Sequence, residues 1–319
     1  MSAAPRATPP PTWQVAAAFA AVYLIWGSTY LGIRFAIETV PPFLMAASRF
    51  LVAGTLMVAW LRLRGVPAPT LLNWRSTLII GGLLLMGGNG GVTWAEQRVP
   101  SGLAALMVAM VPLWMVLLDW VRPRGQRPAN AVLLGVGLGL VGVVLLASQN
   151  DAKPGETLEP LGLAVLLAST FCWALGSLYA RRAPLPASPL MTTGMEMICG
   201  GSLLLVAGTL NGEWSRLRLD QISPRSGLAI IYLTIFGSII AFSCYVWLLK
   251  VSTPARAATY AYVNPVVAVF LGWALAGEPL TARTLVAAAI IVGAVVLITA
   301  YKGRAAAPEQ PLEVAQESA

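Results

Sequence analysis

The stretch WGSTYLGIRFAIETVPPFLMAASRF (26–50) has a counterpart 147 residues downstream, WALGSLYARRAPLPASPLMTTGMEM (173–197). Trp26 falls on Trp173, Arg34 on Arg181 and Pro42 on Pro189; just beyond, Gly54 falls on Gly201. A shift of 153 carries Trp94 onto Trp247, Ala104-Ala105 onto Ala257-Ala258, Pro112 onto Pro265 and Trp120 onto Trp273. Alanine matches are cheap in an apolar chain, but three tryptophan pairs and two proline pairs at two neighbouring offsets are not. The chain reads as an internal duplication.

What is duplicated is apolar. Of 319 residues, 57% are hydrophobic and only 11% charged, about half the charge of a soluble domain, so the chain lacks the polar surface to face water. A hydrocarbon core of ~30 Å needs about 20 mostly apolar residues per helix. Ten such spans follow: 13–33, 42–62, 76–95, 101–121, 130–148, 161–181, 189–210, 226–249, 255–275 and 283–300. The expected fold is all-α and polytopic, with ten transmembrane helices in two five-helix repeats, 13–148 and 161–301. A linker spans 149–160, and disordered tails are expected over Pro-rich 1–12 and polar 302–319. Five is odd, so the second repeat enters the bilayer inverted relative to the first. Inverted repeats place a shared site near the midplane, the architecture of an alternating-access carrier.

Basic residues set the expected orientation. One alternating set of loops and tails holds thirteen Lys and Arg, the other seven, and Arg49 lies inside a span. Both termini therefore belong in the cytoplasm. The net charge of +8 reports topology and contact with the lipid bilayer, not a nucleic-acid partner. Histidine is absent, which excludes His-based metal sites and Ser-His-Asp hydrolysis, and no P-loop is present. Cys172, Cys199 and Cys244 sit singly in apolar stretches and read as packing residues. No cofactor or metal is expected.

Polar groups at membrane depth are the candidates for function. Arg49 and Glu196 coincide under the 147 offset with opposite charges, and could pair across helices 2 and 7. Such a pair is either a gating or coupling ion pair or a fixed lock between halves. Asn89 and Thr93 stand i, i+4 on helix 3 among Gly87, Gly88, Gly90 and Gly91, glycines that either loosen the helix or let a neighbour approach. Tyr260 and Asn264 stand i, i+4 on helix 9 before Pro265, which frees a carbonyl. Trp26 with Tyr30, and Trp173 with Ser177, occupy equivalent places on helices 1 and 6. They form either two aromatic walls of one cavity or ordinary packing. Glu96, Asp119 and Glu278 lie near span ends and read as headgroup-level groups. Gly135, Gly137, Gly139 and Gly142 on helix 5, and Ala289 with Gly293 on helix 10, read as close-packing faces within the fold or in a homodimer.

The stretches 26–50, GNGGVTWAEQRVPSGLAALMVAMVPL (88–113) and TYAYVNPVVAVFLGWALAGEPLT (259–281) resemble the drug/metabolite transporter superfamily, specifically its EamA-domain exporters of the YedA type. The likeness covers about residues 14–300. It implies ten helices in two inverted repeats, a central cavity and export of small metabolites, amino-acid-like solutes or drugs across the inner membrane. The first repeat has Arg124-Gly125-Gln126 where the second has Gly277-Glu278-Pro279, so a role for that glutamate is not duplicated. A proton-coupled carrier needs a titratable group at depth, for which sequence position offers Glu196; uncoupled export is equally open. A receptor or scaffold without transport is the alternative. An intramembrane lipid-modifying enzyme is the weakest reading, since the chain offers no nucleophile–base pair.

Overall fold

The computed structural model describes residues 10–121, 128–147, 159–252 and 260–305. These residues are helical, with no strand among them. Ten apolar helices run in order. The first five are α1 (Thr12–Ala36), α2 (Pro42–Leu63), α3 (Leu71–Ala95), α4 (Ser101–Val121) and α5 (Asn130–Ala147). The second five are α6 (Pro160–Ala180), α7 (Pro189–Leu210), α8 (from Pro224 through Val251), α9 (Tyr260–Ala276) and α10 (Ala282–Ala305). Seven are long and apolar enough to cross a membrane by length and composition; α5, α9 and α10 carry shorter apolar stretches.

The ten helices fall where the apolar runs placed them, with two differences. Helix α3 begins at Leu71 instead of 76, because Thr70 and Asn73 form a reciprocal capping box that starts the helix early. Helix α10 runs on to Ala305, past the expected end of the second repeat. The rest of both tails, most of the linker and the Arg124-Gly125-Gln126 segment lie outside the described residues.

Prolines and wide turns shape the spans. Pro112 lacks an N–H and crowds the preceding turn, so α4 is interrupted at Ala109–Met110 between Ser101–Val108 and Val111–Val121. The ladder tightens there, with Met110 N donating to Met107 O at 3.0 Å and Leu113 N to Met110 O at 2.9 Å. The third helix of each repeat carries a π-helical stretch: Gly82–Gly90 in α3 and Leu233–Ile240 in α8. Their starts lie 151 residues apart, between the two offsets that relate the repeats.

The packing obeys the duplication. Helix α2 packs along α7 and α5 along α10, while α1 meets α9 and α8 as α6 meets α4 and α3. A side chain at Gly54 would strike Gly194 O, at Gly201 it would meet Leu51, and at Gly208 it would meet Leu44. Partner numbers fall on α7 as they rise on α2, so these equivalent helices run antiparallel and the repeats are inverted. Gly139 and Gly142 do the same for α5, against Leu113 and Ile291, whereas Gly137 and Gly293 face open space.

Apolar side chains also line the outside: Leu56, Trp60, Leu134, Val141, Val144, Leu210 and Phe270 are exposed. Exposed Trp13, Trp60, Trp120, Trp214 and Trp273 sit near helix ends, where amphipathic rings favour the lipid–water boundary.

Candidate functional site

The two tryptophans that anchor the duplication occupy equivalent seats. Trp26 of α1 lies against the π stretch of α8 and donates its indole N–H to Gly237 O at 3.2 Å. Trp173 of α6 lies against the π stretch of α3, where a side chain at Gly88 would come within 2.8 Å of its ring. Each repeat thus sends the tryptophan of its first helix to the widened third helix of the other. A π turn displaces carbonyls from the helical ladder, and Gly237 O is free to take the indole.

Around Trp26 the rings of Phe242, Tyr245 and Tyr260 stand 5.1–5.2 Å away, forming an aromatic cluster between α1, α8 and α9. Tyr30, one turn along from Trp26, lies within electrostatic reach of both Glu96 and Tyr260. Among the described residues no ring contact joins Trp26 to Trp173. Ser177 donates to Trp173 O at 2.8 Å, within its own helix. With the amide nitrogen of Asn264 turned toward its acceptors, it donates to Tyr23 O and Tyr260 O at 3.2 Å each. That buried side chain therefore ties α9 to α1 and holds Tyr260 in place.

Arg49 and Glu196 do not form an ion pair among the described residues. The reason is geometric: equivalent positions on antiparallel helices meet only where the two-fold axis crosses them. Leu51 opposite Gly201, and Gly54 opposite Gly194 and Met197, put that crossing near residues 52–53 of α2. Arg49 and Glu196 lie on opposite sides of it, about seven residues or ~10 Å apart along the pair. Glu196 is half-buried where α7 meets α3. Arg49 turns instead to α3: its Nη2 donates to Asn89 Oδ1 at 2.6 Å, its guanidinium lies 4.3 Å from the Phe50 ring centre, and its buried Nε has no partner among the described residues. Thr93 Oγ1 donates to Asn89 O at 2.9 Å.

Glu96, which position alone put at headgroup level, is fully buried. It stands just past Ala95, and with Asn89 and Thr93 it completes an i, i+4, i+7 stripe on one face of α3. Neither carboxylate oxygen has a hydrogen-bond partner among the described residues. Burial holds this carboxyl well above the ordinary carboxylate range; Glu278 adds to the rise, and Arg34 and Arg49 oppose it. The sequence signal that could have found it is the stripe spacing, read together with Arg34 at the end of α1.

The same end of the molecule is latched by charge. Glu278 accepts Ser101 N and Ser101 Oγ at 2.7 Å each and Gly102 N at 3.0 Å, capping α4 from the other repeat. Buried Glu213 accepts Phe43 N at 3.3 Å and Leu44 N at 2.9 Å, capping α2 likewise. Arg34 donates to Glu96 O at 2.8 Å, Arg98 pairs with Glu159 at 2.8 Å, and Arg225 pairs with Glu38 at 3.3 Å. At the opposite end Asn73 donates to Pro184 O at 3.3 Å. Glu278, expected at headgroup level, is thus a cap between repeats.

Comparison with known proteins fits this arrangement. Residues 13–148 and 160–300 each match the EamA-like transporter family. The chain belongs to that family. It is 43% identical to the uncharacterized inner membrane transporter YedA of Escherichia coli K12, over 88% of this chain and 89% of that protein. It is 26% identical to Protein PecM of Dickeya dadantii, over 86% and 88% respectively. It is also 26% identical to a Salmonella typhimurium protein named "Probable amino-acid metabolite efflux pump", over 85% and 89%. A crystal structure of a protein 23% identical superposes with a TM-score of 0.61, covering 93% of this chain and all of that one, which supports the fold. This chain is a membrane transporter.

Proposed function

We propose that this transporter exports small organic metabolites, amino-acid-like solutes or drugs across the inner membrane by alternating access, with both termini cytoplasmic. The two repeats, 13–148 and 161–301, are the halves that rock. The observation that carries this reading is the crossed seating of Trp26 and Trp173, each held by the π-turned third helix of the opposite repeat. Such wide turns interrupt the rigid ladder and recur at functional sites. They lie at mid-helix, where motion of one half against the other would be felt by both.

Under this orientation the latched end is the outer one, which supports reading this conformation as outward-closed. Tyr30, Tyr260 and Trp26 offer ring faces to a solute, and Asn89 and Thr93 offer polar contacts beside them. Trp173 with Ser177 is the equivalent surface on the other side. Asn264 acts by positioning Tyr260. Arg49 acts as a gating residue through Asn89, while Glu196 belongs to the α3–α7 seam. The amino-acid efflux named for the Salmonella relative supports a zwitterionic or amine-bearing solute.

The test is an untargeted comparison of solutes outside cells that express or lack the chain. Selective external accumulation of one solute class is the expected result. No difference across many growth conditions would move the reading to a receptor or scaffold.

A further inference from the structure

Glu96 combines three features that packing alone does not explain: complete burial, two unbonded carboxylate oxygens, and a place on the stripe that already holds Arg49 through Asn89. The charged and titratable groups that act on it come from three neighbouring segments. Tyr30 and Arg34 reach it from α1, Arg49 from α2, and Glu278 from the turn between α9 and α10. Glu278 is already committed to Ser101 and Gly102, and Arg34 donates to the Glu96 backbone carbonyl. Among the described residues two buried donors stay without a partner, Arg49 Nε and Arg98 Nη1; Arg98 is already held by Glu159 and the Trp94 ring, which leaves Arg49 as the cation able to turn to Glu96.

We infer that Glu96 binds the proton that couples this transporter's cycle, and that Arg49 leaves Asn89 for Glu96 when that proton departs. The inference rests on the transport reading above. In the closed state the buried carboxyl has no donor among the described residues, so it is the neutral acid; a bare buried anion is strongly disfavoured. Opening of one face admits water, which takes the proton. The carboxylate left behind attracts the guanidinium beside it. Two cations, Arg34 and Arg49, then balance two anions, Glu96 and Glu278. Reprotonation from the other side returns Arg49 to Asn89, and one proton has crossed per cycle. Asn89 and Glu96 are seven residues apart, about 10 Å along α3, so the exchange runs along the face where solute contacts are proposed.

Infrared difference spectroscopy of the full-length protein in nanodiscs tests this without a solute. A protonated-carboxyl C=O component that Glu96 alone supplies is expected at neutral pH, vanishing on alkalinisation, missing from the Glu96→Gln spectrum and retained in Glu196→Gln and Glu278→Gln. Two variants keep Glu96 and so read the site even if Glu96→Gln fails to fold. Arg49→Gln removes the pairing cation and raises the midpoint, by about one to three pH units. Asn89→Ala frees Arg49 to pair and lowers it. Loss of the band in Glu196→Gln with retention in Glu96→Gln, or no band at neutral pH, overturns the assignment. A midpoint unmoved in both Arg49→Gln and Asn89→Ala overturns the exchange. If the band behaves as expected but proteoliposomes under a pH gradient move no amino acid or amine, the transport reading fails and the proton site stands.

Discussion

The third helices of the two repeats share a backbone and differ in chemistry. Both α3 and α8 widen into a π turn at corresponding places, and both receive a tryptophan from the opposite repeat. In α3 the turn reads GLLLMGGNG and continues into the stripe Asn89, Thr93, Glu96; in α8 it reads LTIFGSII, and Asn89 has Ile239 or Phe242 at offsets of 150 and 153. Duplication has preserved the wide turn and left the ionisable group in one copy. A shared backbone with an asymmetric charge suits the proposed carrier with one coupling site.

The largest expected difference between the two helices is steric. A side chain at Gly81 of α3 would lie 2.6 Å from Glu196 O and 2.8 Å from Gly200 N, backbone atoms with no room to move. At Gly237 of α8 its nearest contact would be Thr29 Cγ2 at 3.1 Å, a side chain that can shift. Gly81→Ala should therefore destabilise by about 1–3 kcal/mol, and Gly237→Ala by well under half of that, read as thermal midpoints in one detergent. Equal losses would mean that the two seams are equally tight and the comparison fails.

A smaller contrast lies in the tryptophans. Trp26 donates its indole N–H to Gly237 O, whereas the indole N–H of Trp173 makes no hydrogen bond among the described residues. Trp26→Phe should cost about 1 kcal/mol more than Trp173→Phe, since both lose similar area and only one loses a bond. Matching losses in the same thermal assay would show that the indole N–H at Gly237 contributes nothing.

Much of this was legible in the sequence. Span positions followed from apolar length alone, and the inversion followed from an odd number of spans per repeat. The π turns were not legible, because a nine-residue widening leaves the apolar pattern of α3 unchanged. The Arg49–Glu196 pairing failed for a reason the sequence contained: equivalence under an offset is not proximity unless the residues lie at the axis. Glu96 was misplaced because depth was counted from the span end, while its burial comes from α1, α2 and the turn at Glu278. That covering is tertiary and leaves no local signal beyond the i, i+4, i+7 spacing.

The claim on which the rest depends is that the halves rock. Spin labels at Glu38 and Gln221, on the latched end, and at Val66 and Ala183, on the opposite end, measure it by pulsed dipolar distances in nanodiscs. Two populations are expected at each end, changing in opposite senses when pH is varied: as the outer pair lengthens, the inner pair shortens. Single, pH-independent distances at both ends, or distances that lengthen together, would contradict alternating access in this chain.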